Sequence, residues 1–305
     1  MQKLIYFRKG QGNYRAVANQ INGTINTHLS KAAWTKTSLA RHLPSRFLLT
    51  FGLFNGSRQH VLMSHGVADK NYLNRLGPDG DLLVNKLEHL FVPGPWLRDK
   101  LLADKDFHLS HDQVSCVGWP RLDMLVKQQE LRPPIVSGRP KLLWAPTHDW
   151  RKWGDQQIST SSYPDFAADF EALGDDYVTD VSLHPRNRSS KNPTSQQLID
   201  ADIVISDFGT MVYEAWALNK PVIFPAWLIK ERIQEFIPGS AEAHIFENQI
   251  GYHPQSAKEL RHILECGPTV TPDVTAFLEE YLPSRYKGIS GKTAADKLLM
   301  LARNL

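Results

Sequence analysis

Short apolar runs alternate with longer stretches of helical spacing along the whole chain, and this alternation limits the fold more than any other feature. Runs at 3–7, 47–51, 60–64, 89–92 and 114–117 fall in the first half; runs at 141–145, 177–183, 203–206, 222–224 and 243–246 fall in the second. Between them, 14–21, 95–103, 164–173, 210–218, 257–265 and 291–303 read as helices. Strands that alternate with helices pair in parallel, because each crossover helix returns the chain to the same end of the sheet. The expectation is an α/β chain whose halves each carry about five strands in a doubly wound parallel sheet.

The stretch 127–140 contains Pro133, Pro134, Gly138 and Pro140 and has no apolar period, which is the composition of a linker. The chain therefore divides into an N-terminal domain at 1–130, a linker at 131–140 and a C-terminal domain at 141–305. The last helix is expected to pack back on the first domain. A length of 305 residues suits two domains, and 42% hydrophobic residues suffice for two cores. Two such Rossmann-like domains would face a cleft at the C-terminal ends of their strands, where open α/β sheets bind ligands. No apolar run approaches the roughly 18–20 residues of a membrane span, and no secretory leader is legible in 4–7. Cys116 and Cys266 are too few for a disulfide framework or a zinc site. A soluble cytoplasmic protein without metal or cofactor is expected.

The net charge of +3 conceals an asymmetry. Residues 1–68 hold nine basic side chains and no acid, whereas the rest holds 26 basic and 32 acidic ones. An N-terminal part so charged suits an anionic partner: a phosphorylated polymer, an acidic membrane face or nucleic acid. A solvated basic surface is the plainer alternative.

The most informative segment runs from Asp202 to Pro225. An apolar strand ends in Ser206 and Asp207, turns through Gly209 and Thr210, and enters a helix that stops at Asn219-Lys220-Pro221. A helix start offers unpaired amides and the positive end of its dipole, which together seat a phosphate. Gly209 would admit the ligand, Thr210 would cap the helix or donate to an oxygen, and Glu214 would reach a hydroxyl. The same residues also suit an ordinary strand–turn–helix with Thr210 as N-cap. Upstream, His184 precedes Pro185 and Arg186 at a strand end, where imidazole and guanidinium can meet phosphate oxygens. His65 closes a strand of the basic half, and Gly66 would leave its imidazole unobstructed, as a general base for a hydroxyl requires.

Three weaker signals accompany these. Arg121, in Gly118-Trp-Pro-Arg121-Leu-Asp123, suits a diphosphate or a structural pair with Asp123. Thr147 follows the strand 141–145 and suits a phosphate or a helix cap. Arg8, Lys9 and Gly10 follow the first strand, a G-x-G without the third glycine, and the first acid after it is Asp69, so no dinucleotide fingerprint forms. Walker loops, nucleophile elbows, zincin helices and kinase motifs are absent from the sequence.

In order, these segments resemble the CDP-glycerol glycerophosphotransferase family, the teichoic-acid and capsule polymer enzymes of GT-B fold. The resemblance rests on His65-Gly66, on Gly118, Pro120, Arg121 and Asp123, on Ala145-Pro146-Thr147, on Leu183-His184-Pro185 and on 202–210, with a looser echo from Tyr286 to Gly291-Lys292. It implies that His65 activates the acceptor hydroxyl and that His184 stabilises charge on the transferred phosphoryl group. It also implies that the segment with Asp207, Gly209 and Thr210 holds a CDP-glycerol type donor, with CMP released; Arg121, Thr147, Arg186 and Glu214, read as above, would join it in binding the donor. Arg8, Lys9 and Gly66 would lie on the side of an anionic lipid-linked or polymeric acceptor, at or near the inner membrane face. Asp207-Phe208-Gly209-Thr210 replaces the family's D-Y-S-S, and Glu214 stands where its members usually carry Asp. A GT-B glycosyltransferase using a nucleotide sugar is therefore the alternative enzyme. A nucleic-acid module is a third reading, but Tyr6, Phe7, Tyr14 and Trp34 form no recognisable RNA-binding pattern.

Overall fold

The computed structural model describes residues 2–10, 12–54, 59–132, 138–147, 161–183 and 193–304. Ten strands are present among them: β1 (Leu4–Phe7), β2 (Trp34–Thr35), β3 (Leu48–Gly52), β4 (Val61–Met63), β5 (His89–Val92), β6 (Val114–Cys116), β7 (Lys141–Ala145), β8 (Val178–Val181), β9 (Ile203–Ser206) and β10 (Val222–Ile223). They form a six-stranded sheet in the order β2-β1-β3-β4-β5-β6 and a four-stranded sheet in the order β10-β9-β7-β8. Every pairing within these sheets is parallel. The even division expected from the sequence becomes six and four: the two-residue β2 is too short to show a pattern, and the run 243–246 is helical.

Contacts group the chain into two compact units: Met1–Val67, Asn71–Lys127 and Glu279–Leu305 in the first, Ala68–Lys70 and Gln128–Leu278 in the second. The inner strands β3, β4, β5, β7 and β9 are buried nearly throughout, as expected where helices cover both faces of a parallel sheet, whereas the edge strand β8 is half exposed. In the second unit Leu142, Trp144, Phe166, Phe170, Ile203 and Ile205 make one buried cluster. In the first, Phe7 on β1 meets Phe51 on the neighbouring β3, and Phe51 meets Phe91 two strands away on β5.

Three expected elements need correction. The run 243–246 is not a strand but part of the helix Ala241–Glu247, started by Ser240, whose hydroxyl accepts from the Ala243 amide. That cap, with Glu242 in the first turn, outweighs the apolar run. The helix expected over 164–173 shortens to Ala167–Glu171. The helix expected over 14–21 extends instead over Arg15–Asn26.

The helix Ser290–Asn304 belongs to the first unit, and Ala302 accepts a hydrogen bond from the Lys3 amide. Its N-terminus is capped from far away in sequence: the Asp123 carboxylate accepts from the amides of Ser290 (3.1 Å) and Gly291 (2.7 Å). Gly118, at φ +73°, passes so close to this start that a Cβ would lie 2.3 Å from the Ser290 hydroxyl. The Gly118–Asp123 motif therefore has a structural use, in closing the first unit.

Candidate active site

The second sheet changes winding direction between β7 and β9: the chain leaves β7 on one side for β8 and returns on the other side for β9. Ligands of open α/β sheets bind beyond the strand C-termini at such a point. The register pairs Ala145 with Ser206, so Thr147 and Asp207 leave the sheet side by side. Asp207 is fully buried, and its Oδ2 accepts from the amides of Thr147 (2.7 Å) and Ser162 (3.0 Å). Burial pushes its carboxyl up to about 6, against the opposing pull of those bonds. Asp207 thus ties two loop ends to the end of β9 rather than opening toward solvent.

Gly209 follows at φ +109°, a conformation that disfavours any side chain, and serves as N-cap of the eight-residue helix Thr210–Ala217. Its carbonyl accepts from the Val212 amide, while the amides of Thr210 and Met211 precede any acceptor within the helix. Thr210 is half-buried at this start, and Thr147 is 8% exposed opposite Asp207. Glu214 lies one turn in and is 1% exposed, so its carboxyl is enclosed within the unit instead of reaching outward as the sequence suggests.

Sequence reasoning missed the side chain nearest this glycine. Lys70 belongs to the second unit, and a Cβ on Gly209 would lie 2.9 Å from its Nζ. The ammonium sits 4.4 Å from the centroid of the Phe208 ring and 3.5 Å from Thr147 Oγ1. Its backbone is left-handed, at φ +47°, and its amide donates to Glu242 Oε2 at 2.7 Å. Glu242 also accepts from the Asp69 amide (3.1 Å) and the Tyr213 hydroxyl (2.7 Å), and Asp69 accepts from the Ala241 amide (3.0 Å). Burial holds the Lys70 ammonium below the usual lysine range, with Glu242 and Asp207 pulling it back. Burial likewise raises the Glu242 carboxyl, as does the nearby Asp69 charge. The only sequence sign of Lys70 is its place one residue after the first acid of the chain.

In the first unit, His65 follows β4. Its imidazole stacks on Phe54 at 4.6 Å and meets Tyr14 and Tyr72 edge-on at 5.0 and 4.8 Å. The expectation of an unobstructed ring is corrected: three aromatic rings hem it, and Gly66 is half-buried. Arg121 is also corrected, being 4% exposed with its Nε donating to Gln20 Oε1 at 2.9 Å; both residues belong to the first unit. Asp123, its sequence neighbour in the motif, caps the last helix. His184 and Arg186 lie outside the described residues.

Arg8 and Lys9 leave the end of β1, at the winding reversal of the first sheet between β1 and β3. They line a cavity of about 1480 Å³ together with Arg15, Lys36, Arg41 and His42, and among the described residues no acidic side chain lines it. That volume exceeds the roughly 300–1,000 Å³ of a small-molecule pocket. Arg8 Nη1 also donates to Gln59 Oε1 at 3.2 Å, while Lys9 is exposed.

The chain is similar to several known proteins. The chain is 26% identical over 230 residues to the teichoic acid ribitol-phosphate polymerase TarK of Staphylococcus aureus (strain NCTC 8325 / PS 47), covering 61% of this chain and 44% of that protein. It is 25% identical over 167 residues to a teichoic acid glycerol-phosphate transferase of the same strain, covering 46% and 41%. The chain thus spans less than half the length of these relatives. Among solved structures, the wall teichoic acid polymerase TagF superposes with a TM-score of 0.64 at 15% identity, over 99% of this chain and 90% of that one. A UDP-GlcNAc 2-epimerase from Neisseria meningitidis superposes with 0.51 at 13% identity, over 98% and 100%. These likenesses show the fold, an α/β GT-B architecture with parallel sheets. The profile of the CDP-glycerol:poly(glycerophosphate) glycerophosphotransferases matches residues 66–235, from the glycine after His65 through both strand ends of the second sheet's winding reversal. By that match, over more than half of its length, the chain belongs to the CDP-glycerol:poly(glycerophosphate) glycerophosphotransferase family.

Proposed function

We propose that the protein transfers glycerol phosphate, or a related polyol phosphate, from a CDP-activated donor to a hydroxyl of an anionic lipid-linked or polymeric acceptor, in cell-surface polymer synthesis. The observation that carries the reading is the glycine-led helix start at the winding reversal of β7 and β9, inside the segment that matches the family. In this reading the Thr210 and Thr147 hydroxyls and the first-turn amides receive the donor diphosphate, Asp207 and Glu214 act by shaping that seat, and Arg186 adds charge to it. The acceptor oxygen attacks the polyol-side phosphorus and loses its proton to His65. The new O–P bond forms as the bond to the bridging oxygen breaks, and CMP leaves with that oxygen. His184 stabilises the charge on the transferred group. Positioning and electrostatics account for most of the rate in phosphoryl transfers of this kind.

The cavity lined by Arg8 and Lys9 supports an extended anionic acceptor, with Gly66 on the same side. An anionic membrane surface is supported by exposed Leu39, Leu43 and Phe47, interleaved with Arg41 and Arg46. Among the described residues no helix is long and apolar enough to cross a membrane. On the strength of that basic, apolar-studded face, our reading places the protein in the cytoplasm, peripheral to the inner membrane face. The test incubates purified protein with a lipid-linked phosphodiester primer and CDP-glycerol, CDP-ribitol or UDP-GlcNAc, and follows CMP or UDP release. CMP release dependent on the primer supports the reading. Release from UDP-GlcNAc alone replaces it with a glycosyltransferase.

A further inference from the structure

The Ala68–Lys70 segment departs from the plain order of the fold. By its contacts it belongs to the second unit, although Val67 before it and Asn71 after it belong to the first. Two consecutive amides of the segment, those of Asp69 and Lys70, are held by one buried carboxylate, Glu242. Two consecutive left-handed residues, Lys70 and Asn71, follow. Non-glycine residues seldom adopt that conformation, and two in a row need local contacts to hold them. What this geometry delivers is one ammonium group, set against Gly209 at the start of the helix Thr210–Ala217.

Lys70 is poorly used there by the protein itself. Its neighbours are the Phe208 ring face and, at a long 3.5 Å, the Thr147 hydroxyl. Among the described residues no carboxylate oxygen approaches its Nζ within ion-pair distance. A lysine gathered beneath the surface without a close counter-ion is costly unless a ligand brings one. The helix start beside it favours the same sign of ligand.

We propose that Lys70 is a binding residue for the donor's diphosphate, closing over the Gly209–Thr210 helix start, with Glu242 as the positioning residue that holds it there. The inference rests on the donor site proposed above and adds a side chain to it. An ammonium is a compact point charge that can serve oxygens of either phosphate, and Thr147, within reach of the same Nζ, shares the task. Glycine at 209 is then needed twice, for its backbone conformation and for the room the ammonium occupies.

The test measures binding of CDP-glycerol by tryptophan fluorescence or calorimetry for wild type, Lys70→Met and Lys70→Gln, alongside the ligand-free melting of each. Loss of a charge-assisted hydrogen bond should raise Kd about 10- to 100-fold, and the salt dependence of binding should flatten in both variants. Wild-type-like affinity and salt dependence in either folded variant overturns the role of Lys70 and leaves the donor site standing. If wild type binds UDP-GlcNAc and not CDP-glycerol, the donor assignment fails, and the same variants measured against UDP-GlcNAc still decide on Lys70. If wild type binds neither, both fail.

Glu242→Gln separates positioning from charge. It keeps acceptance from one amide while weakening the pair of bonds, and should raise Kd by a smaller factor than Lys70→Met. An effect of Glu242→Gln on melting alone, with Kd unchanged, overturns its positioning role.

Discussion

At the end of β4 the chain presents an imidazole among three aromatic rings; at the end of β9 it presents amides, hydroxyls and an ammonium, underpinned by buried carboxylates. The first environment supplies shape around one half-buried imidazole. The second supplies oriented dipoles and charge, which is what a diphosphate needs before any bond is made. Under the proposed function, the contrast separates two jobs, handling a proton at one strand end and holding an anion at the other. Substitutions at the two ends should therefore fail in different ways.

The largest difference is expected from His65→Gln. Removing a general base costs typically about 10²–10⁴-fold in turnover, and donor affinity measured by calorimetry should stay within about threefold. Equal losses of turnover and donor affinity would merge the two jobs.

Next in size is the pH dependence set by Asp207. Its carboxyl lies at about 6 in the folded chain against an ordinary 3.8. Between those values the folded state binds the extra proton, so this contribution to stability falls as pH rises through the window, by up to about 3 kcal/mol. Denaturant unfolding at pH 7, 5.5 and 4 should show wild type gaining on Asp207→Asn as the solution is acidified. His89 and His253 act in the opposite direction, because burial lowers both to about 4 and stability is lost as pH falls from about 6.5. Their effect is common to both proteins and cancels in the difference.

Smaller effects sharpen the comparison. Phe54→Leu removes the ring stacked on His65, worth about 0.5–1.5 kcal/mol beyond its area. It should lower turnover several-fold while leaving the Kd for CDP-glycerol unchanged. Thr210→Val removes one neutral donor from the helix start, at about 0.5–1.5 kcal/mol, and should weaken CDP-glycerol binding by roughly 2- to 12-fold. A turnover defect with unaltered binding at Thr210 would reverse the assignment of the two ends.

Much of this was legible in the residues. The apolar runs at 89–92, 141–145 and 203–206 coincide with β5, β7 and β9, because strands buried on both faces leave continuous apolar signatures. The turn through Gly209 was legible because glycine and an N-terminal threonine have local meaning. Lys70 was not, since nothing in a sequence says that a lysine five residues after a histidine will be turned by Glu242 toward a glycine 139 positions later. Arg121 and Asp123 misled for the same reason: their partners, Gln20 and the start of the last helix, are remote in sequence. The strand expected at 243–246 failed locally, where a serine cap decided against an apolar run.

The three residues Ala68–Lys70 also set a condition on dissecting the protein. A fragment cut to 128–278 would keep every strand of the second sheet, yet leave Glu242 buried with only the Tyr213 hydroxyl and strip the Ala241 amide of its acceptor. A buried carboxylate that loses such donors is left poorly solvated, at a cost of several kcal/mol. Such a fragment should fold better when a short peptide spanning 66–72 is added in trans, which makes the strap a natural handle for split-protein complementation.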